Sequence, residues 1–286
     1  MSTRKQLKAL VEARQGAIVP GAFNALSAKV IEDLGFPAVY VTGAGVTNMW
    51  FAMPDQAFMG LSDIAEHTAR IRDAIELPLI VDADTGFGNA LNVRHTVRTL
   101  ERAGADCIQL EDQASPKRCG HFSGKDVIDI DEAVSKIKAA VDARNDADLL
   151  ILARTDAAAT HGFEAAVERA HRYAEAGADI LFVEAVTTAE QISALPRLLP
   201  KPQVMNMVIG GKTPILHADQ LAELGFGVVL YANAALQGAV AGMQKALTVL
   251  RDKKQMTETH GLVTTFAERQ RLVGKPSWDA LERRYT

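Results

Sequence analysis

Short β-branched and aliphatic runs alternate with stretches of helical periodicity along the whole chain. The first four runs are Ala17-Ile18-Val19, Ala38-Val39-Tyr40-Val41, Leu79-Ile80-Val81 and Cys107-Ile108-Gln109-Leu110. Four more follow: Leu149-Leu150-Ile151-Leu152, Ile180-Leu181-Phe182-Val183, Val204-Met205 and Val228-Val229-Leu230-Tyr231. Near-continuous apolar strands of this length are expected of a parallel sheet whose outer face is covered by helices. Between them apolar positions recur at helical spacing, as at Val93, Val97 and Leu100. Eight alternations with no break in composition predict an α/β fold, a (β/α)8 TIM barrel in place of a doubly wound sheet. A weak repeat agrees: Glu101-Arg102-Ala103-Gly104-Ala105-Asp106 returns as Ala174-Glu175-Ala176-Gly177-Ala178-Asp179. In both, as in Leu34-Gly35-Phe36 and Leu224-Gly225-Phe226, glycine sits where a helix must reverse into a strand and left-handed backbone is favoured. The barrel is expected over 1–252, and a helical extension over 253–286. Phe266, Trp278, Leu281 and Tyr285 in that extension call for another surface to pack on.

Composition narrows the class. With 48% hydrophobic residues the chain has enough apolar side chain to form a core, which excludes disorder. The formal charge of −4 offers no basic field for phosphates, so no nucleic-acid partner is expected. Cys107 and Cys119 are too few for a disulfide framework. Met1 to Gln6 has no following apolar segment of a secretory signal, and the apolar stretch from Phe226 to Met243 is broken by Asn233 and Gln237. A cytoplasmic protein without membrane contact is the expectation.

In a barrel of this kind the C-terminal strand ends build the active site. Here those ends carry Thr42, Asp82, Asp84, Glu111, Asp112, Arg154, Glu184 and Asn206, a dense set of acids around one fixed cation. Asp82 and Asp84, two apart on a strand, are expected to face one site, with Glu111 joining from the next strand. Three hard oxygen donors without clustered histidine suit Mg²⁺ or Mn²⁺. In the loop after the fourth strand, Lys117-Arg118-Cys119-Gly120-His121 sets a thiol among cations, which favours thiolate and fits proton transfer near neutral pH, with a nucleophile or an inert loop residue as the other readings. Ser123-Gly124-Lys125 marks that loop as one able to close over substrate. Gly210-Gly211-Lys212-Thr213-Pro214 lacks P-loop spacing and reads as a turn in which Thr213 reaches a substrate carboxylate. Cys107, opening an apolar strand, reads as a core residue, and Asp129 or Asp131 as a helix cap.

Together these motifs resemble the isocitrate lyase and phosphoenolpyruvate mutase superfamily. The resemblance rests on Pro20 to Ala28, Thr42-Gly43, Pro54-Asp55, Asp82 to Asn89, Glu111-Asp112-Gln113, Pro116 to His121, Ala153 to Ala157, Glu184-Ala185 and Asn206-Met207. It also takes in Thr265-Phe266 to Arg284-Tyr285. It implies a homotetramer, a dimer of dimers that exchange a last helix. It further implies Mg²⁺ held by Asp84, with Asp82 and Glu111 acting partly through water. Tyr40, Thr42, Gly43, Ala44 and Asn206 would line the pocket, Arg154 would clamp a carboxylate, Asp55 would order a neighbouring loop and Glu184 would position substrate or water.

The lyase branch cleaves a C–C bond of a small 2-hydroxy di- or tricarboxylate, 2,3-dimethylmalate- or methylisocitrate-like, to an α-keto acid and a carboxylic acid. In such chemistry Tyr40 is the candidate base for the hydroxyl. Lys117, Arg118 and His121 would offset the developing enediolate, Gly120 would contact substrate, and Cys119 would protonate the carbon. Oxaloacetate hydrolysis and P–C mutation of the carboxyphosphoenolpyruvate type are the alternatives. Where relatives usually have Glu, Ala and Tyr-Pro, this chain has Ile209 before the Gly-Gly turn, Met205 before Asn206, and Ala232-Asn233 after Tyr231. These departures bear on the shape of the pocket.

Overall fold

The computed structural model describes residues 1–118, 120, 124 and 126–286, with His260 described by its backbone alone. Cys119 and His121, given roles above, lie outside the described residues.

Eight parallel strands close into a barrel in chain order. They are β1 (Ala17–Ala22), β2 (Val39–Val41), β3 (Leu79–Asp82), β4 (Cys107–Glu111), β5 (Leu150–Thr155), β6 (Ile180–Val183), β7 (Gln203–Asn206) and β8 (Val228–Tyr231). Each falls on one of the eight apolar runs. Helix α1 (Thr3–Glu12) precedes the barrel, and α2 (Ala25–Asp33), α3 (Gly43–Val46), α4 (Leu61–Ala74), α5 (Ala90–Arg102) and α6 (Ile130–Ala143) follow the early strands. The second half carries α7 (Ala157–Thr160), α8 (Phe163–Glu175), α9 (Ala189–Leu198), α10 (Ala218–Leu224) and α11 (Ala234–Lys253). The extension holds α12 (Phe266–Leu272) and α13 (Lys275–Tyr285). Polar side chains start several of these helices: Asn89 Oδ1 accepts from the Leu91 and Asn92 amides of α5, and Asp129 Oδ1 from Asp131 of α6. Gly35, Gly104, Gly177 and Gly225 all have positive φ at the helix-to-strand junctions, as their spacing predicts.

Two layers of core follow from strand alternation. Outward residues such as Val41, Val81, Ile108 and Val229 pack beneath Ile71, Val93, Val97 and Leu100 of the helices. Inward residues, among them Val19, Tyr40, Ile80, Leu152 and Phe182, fill the barrel, and Leu7 and Val11 of α1 plug its N-terminal end. Each such side chain buried contributes about 1.5–3 kcal/mol. The barrel seam is tight: a Cβ on Gly21 of β1 would run into the Ala232 carbonyl beyond β8. Cys107 is fully buried, as a core cysteine should be.

Helix α11 departs from the pattern, with only Leu236 of its twenty residues buried. Ile18 on the outer face of β1 and Leu26, Val30 and Leu34 along α2 are left exposed. They line an apolar groove of about 740 Å³ together with Pro20, Tyr231 and Ala239. The extension returns to the same chain, where Arg271 forms a two-pronged ion pair with Asp33 at the end of α2. Among the described residues no helix is long and apolar enough to cross a membrane.

Candidate active site

Asp82 is the last residue of β3, and its Oδ1 accepts from Gln109 Nε2 at 3.1 Å and from the Asp84 amide at 3.2 Å. Asp84 lies past the strand, in left-handed backbone with φ 48°. Strand alternation therefore does not aim it; the turn does. Both carboxylates nonetheless border one small space. A Cβ built on Gly43 would stand 3.1 Å from Asp82 Oδ2 and 3.3 Å from Asp84 Oδ1. Lys117 Nζ sits 2.8 Å from Asp84 Oδ1 and 2.5 Å from Asp55 Oδ1, tying the loop after β4 to the loop after β2.

A second cluster surrounds Arg154 on β5. Asp156 holds the guanidinium with both oxygens, at 2.9 Å to Nε and 3.2 Å to Nη2. Glu111 Oε2 lies 3.3 Å from Nε and Glu184 Oε2 3.5 Å from Nη1. The guanidinium also stands over the Phe182 ring, 5.3 Å from its centre. Asn206 Nδ2 donates to Glu184 Oε2 at 3.2 Å, and Ala185 N donates to Oε1. Gly120 is seated against this cluster: a Cβ there would lie 2.5 Å from Arg154 Nη2 and 2.6 Å from Glu184 Cγ.

Burial dominates the electrostatics. It pushes Asp84 up to about 7 against the pull of Lys117, with Asp82 adding to the rise. Glu111 is raised well above the ordinary range by burial, which outweighs Arg154. Burial works against charge on Arg154 and Lys117 too, but the carboxylates around each more than offset it and both stay firmly cationic. Tyr40, deep in the barrel, is raised by burial and then by Asp82.

Among the described residues no group of three or more His, Cys, Asp or Glu closes tightly enough to hold a metal alone. Glu111 Oε1 is buried without a hydrogen-bond partner, however, and the Gly43 space is bordered by two carboxylate oxygens. Hard, buried oxygens short of a complete cage suit an ion such as Mg²⁺ that keeps several waters.

The expected residues thus gather at one mouth of the barrel, with differences. Thr42 caps α3 by accepting from Gly45 N, and its hydroxyl donates to Asn233 Oδ1 at 3.4 Å, so that Asn233 reaches the site's edge. Ala44, like Gly43, belongs to α3, and Thr213 is buried in the loop after β7. Arg118 does not join the cluster. Its backbone is pinned by the Gln113 side chain, and its side chain stays exposed near Gly124, where the cation keeps its water. Met205 packs outward among the helices, and Ile209 is half exposed, so neither lines the acid cluster. Strand alternation turns Met205 away from the face that Asn206 presents.

The family model described as phosphoenolpyruvate phosphomutase matches residues 7–251. The chain belongs to the phosphoenolpyruvate phosphomutase family. It is 39% identical to the 2,3-dimethylmalate lyase of Eubacterium barkeri, across 100% of this chain and 99% of that one. It is 43% identical to the 2-methylisocitrate lyase of Aeropyrum pernix, across 94% and 86%. A solved phosphonopyruvate hydrolase in complex with oxalate and Mg²⁺ superposes with a TM-score of 0.89, at 31% identity over 100% of this chain and 99% of the other. The chain is an enzyme of the carbon–carbon lyase type within this family.

Sequence reasoning missed Asp156 as the partner of Arg154, although Arg154-Thr155-Asp156 repeats the two-apart spacing that singled out Asp82 and Asp84. It also left Tyr173 and Arg169 unremarked. Both belong to a buried network around Asp112, and helical spacing alone gives no sign of it.

Proposed function

We propose that this chain is a Mg²⁺-dependent lyase. It would cleave the C2–C3 bond of a small 2-hydroxy di- or tricarboxylate, 2,3-dimethylmalate- or methylisocitrate-like, to an α-keto acid and a carboxylic acid. The observation that carries the reading is buried Glu111, whose Oε2 lies 3.3 Å from Arg154 Nε and whose amide donates to the Asp84 carbonyl at 2.9 Å. It joins a carboxylate-binding cation to a cation-binding set of acids in one site. The two lyases among the relatives act, by their names, on substrates of this class.

Asp84, Asp82 and Glu111 would hold Mg²⁺ (or Mn²⁺), with water completing the shell. Bound there, the ion supplies positive charge beside the hydroxy-carboxylate end of the substrate and eases loss of the hydroxyl proton. Arg154 clamps a carboxylate, Thr213 reaches the far one, and Thr42, Gly43, Ala44 and Asn206 line the space between. Burial holds Tyr40 neutral, with Asp82 beside its hydroxyl, so the phenol would take the substrate hydroxyl's proton as it passes its own to the Asp82 carboxylate. As the C2–C3 bond breaks, C2 and its oxygen become the keto group and the bonding pair leaves with C3 as an enediolate. Lys117, buried beside Asp84, offsets that charge together with His121, while exposed Arg118 acts at longer range. Cys119 delivers the proton to C3, Gly120 brings the loop onto Arg154, Asp55 orders Lys117, and Glu184 holds Asn206 and orients substrate.

The exposed apolar face fits a second copy of the chain. Val240, Met243, Leu247 and Leu250 of α11 stand exposed, and the groove along β1 and α2 lacks a covering helix. Exchange of these elements between subunits would bury both, leaving 1–252 as the catalytic barrel and 253–286 packed on a neighbour, in a homotetramer of such dimers.

Proton and phosphorus NMR of the protein with Mg²⁺ and a panel of substituted malates, oxaloacetate and phosphonopyruvate tests the reaction. An α-keto acid formed from a malate, absent with EDTA, is the expected result. Oxalate with acetate, or a shifted phosphorus line, would replace lyase with hydrolase or P–C chemistry.

A further inference from the structure

Behind the Arg154 cluster lies a second polar network that no step above uses. Asp112, the residue after β4, is 3% exposed and accepts four hydrogen bonds. Its Oδ2 takes Thr155 Oγ1 and Tyr173 Oη, each at 2.7 Å, and Arg169 Nη1 at 3.2 Å. Its Oδ1 takes the Asp156 amide at 2.9 Å. Tyr173 and Arg169 come from α8, so one carboxylate binds β4, β5 and a helix of the outer layer together.

The Asp156 contact gives the network its reach. Asp112 fixes the backbone of Asp156, and the Asp156 carboxylate grips Arg154 at two nitrogens. A guanidinium held in this two-pronged way can turn only if Asp156 turns with it. The same network also holds the foot of the loop that carries Lys117. Arg169 Nη2 donates to the Ile128 carbonyl at 2.8 Å, and Ile128 N donates to the Asp112 carbonyl at 2.9 Å. Gly120, further along that loop, rests on Arg154 itself.

We propose that Asp112, Tyr173 and Arg169 are positioning residues that fix the orientation of Arg154 through Asp156 and set the loop's foot to match it. This rests on the reading of Arg154 as the carboxylate clamp. Buried groups that each lock the rotamer of the next can hold a binding side chain more narrowly than its own strand does.

The test measures oxalate affinity by calorimetry in the presence of Mg²⁺, on the full chain, with thermal unfolding recorded for every variant. Tyr173→Phe removes one donor and leaves the ring in place. It is expected to weaken oxalate about fivefold, and Asp112→Asn about twentyfold, with malate turnover showing a raised KM before a lowered kcat. In an Asp156→Asn background, Tyr173→Phe should add less than twofold, because the route to Arg154 is already cut. If Arg154→Lys weakens oxalate more than tenfold while folded Tyr173→Phe and Asp112→Asn stay within twofold of the parent, the positioning role is wrong. Full additivity of Tyr173→Phe with Asp156→Asn overturns the route through Asp156. Unchanged affinity in Arg154→Lys removes the clamp, and this inference with it.

Discussion

At the N-terminal end of the barrel, Glu101 divides four hydrogen bonds between its two oxygens, from Arg4, Asn145 and the Asp146 amide. Asp106 there accepts from Thr3 Oγ1 at 2.6 Å and from the Leu79 amide at 2.8 Å, with Arg72 at 3.4 Å. At the opposite mouth, Glu111 keeps one buried oxygen without a hydrogen-bond partner among the described residues, and Asp82 and Asp84 turn oxygens toward the same space beside Gly43. Acids at the first end close the structure. Acids at the second leave buried oxygens unsatisfied among the described residues, in keeping with the site proposed there. The residue types match; what differs is how completely each group is satisfied, and stability and function separate along the barrel axis accordingly.

The sharpest way to break this contrast is to swap the expected phenotypes. Glu111→Gln should lower kcat/KM about a thousandfold while the metal-free protein unfolds at an equal or higher free energy, by about 1 kcal/mol, in urea titration. A stability loss with activity retained would show that Glu111 belongs with the structural acids. Asp106→Ala should do the reverse, costing about 3 kcal/mol and about 6–10 °C in Tm while kcat/KM at 25 °C stays within twofold.

Metal removal sharpens the same comparison. Mg²⁺ at a hundred times its Kd should stabilise the parent and Asp106→Ala alike by about 2.7 kcal/mol, and Glu111→Gln far less, read by thermal unfolding with and without EDTA. The pH dependence follows from Asp84, whose carboxyl is raised to about 7 by burial. A raised folded pKa favours the protonated folded state, so the metal-free protein keeps that contribution below the ordinary carboxylate range, near pH 4, and loses it as pH rises through about 7. The Mg²⁺ increment should therefore grow between pH 5 and 8 at fixed ion concentration.

The smallest effect belongs to the extension. Hydrogen bonds from Arg271 hold Asp33 and Glu268 below their usual range. A depressed folded pKa stabilises above the ordinary carboxylate value, so docking of α12 on α2 should loosen as pH falls through the acid range. Hydrogen exchange of residues 266–285 measures it, and Arg271→Ala should abolish the pH dependence.

Much of this was legible in the chain. Eight apolar runs fixed the barrel because a buried strand must be apolar at nearly every position, and the four junction glycines marked where helices turn back. The mouth residues were legible because a polar side chain directly after such a run has nowhere else to go. Asp84 was rightly grouped with Asp82 for a reason that did not hold, since a left-handed turn and not a strand brings it in. Asp112, Tyr173 and Arg169 were harder to see: they lie far apart in sequence and meet only once β4, β5 and α8 have packed. The Lys117 ammonium sits between Asp84 and Asp55, a pairing of two loops that no local spacing shows.

The tight seam at Gly21 bears on how the chain is made. Strand β1 leaves the ribosome well before β8, yet one of its edges pairs with that strand, some two hundred residues later. Helix α1 must wait as well, since Arg4 finds Asp146 only once a further 142 residues have been synthesised. The nascent chain therefore carries an unpaired apolar edge until β8 emerges, a stretch on which premature association competes with ring closure. Glycine at position 21 lets the late strand slide in flush, and any side chain there would leave the ring ajar.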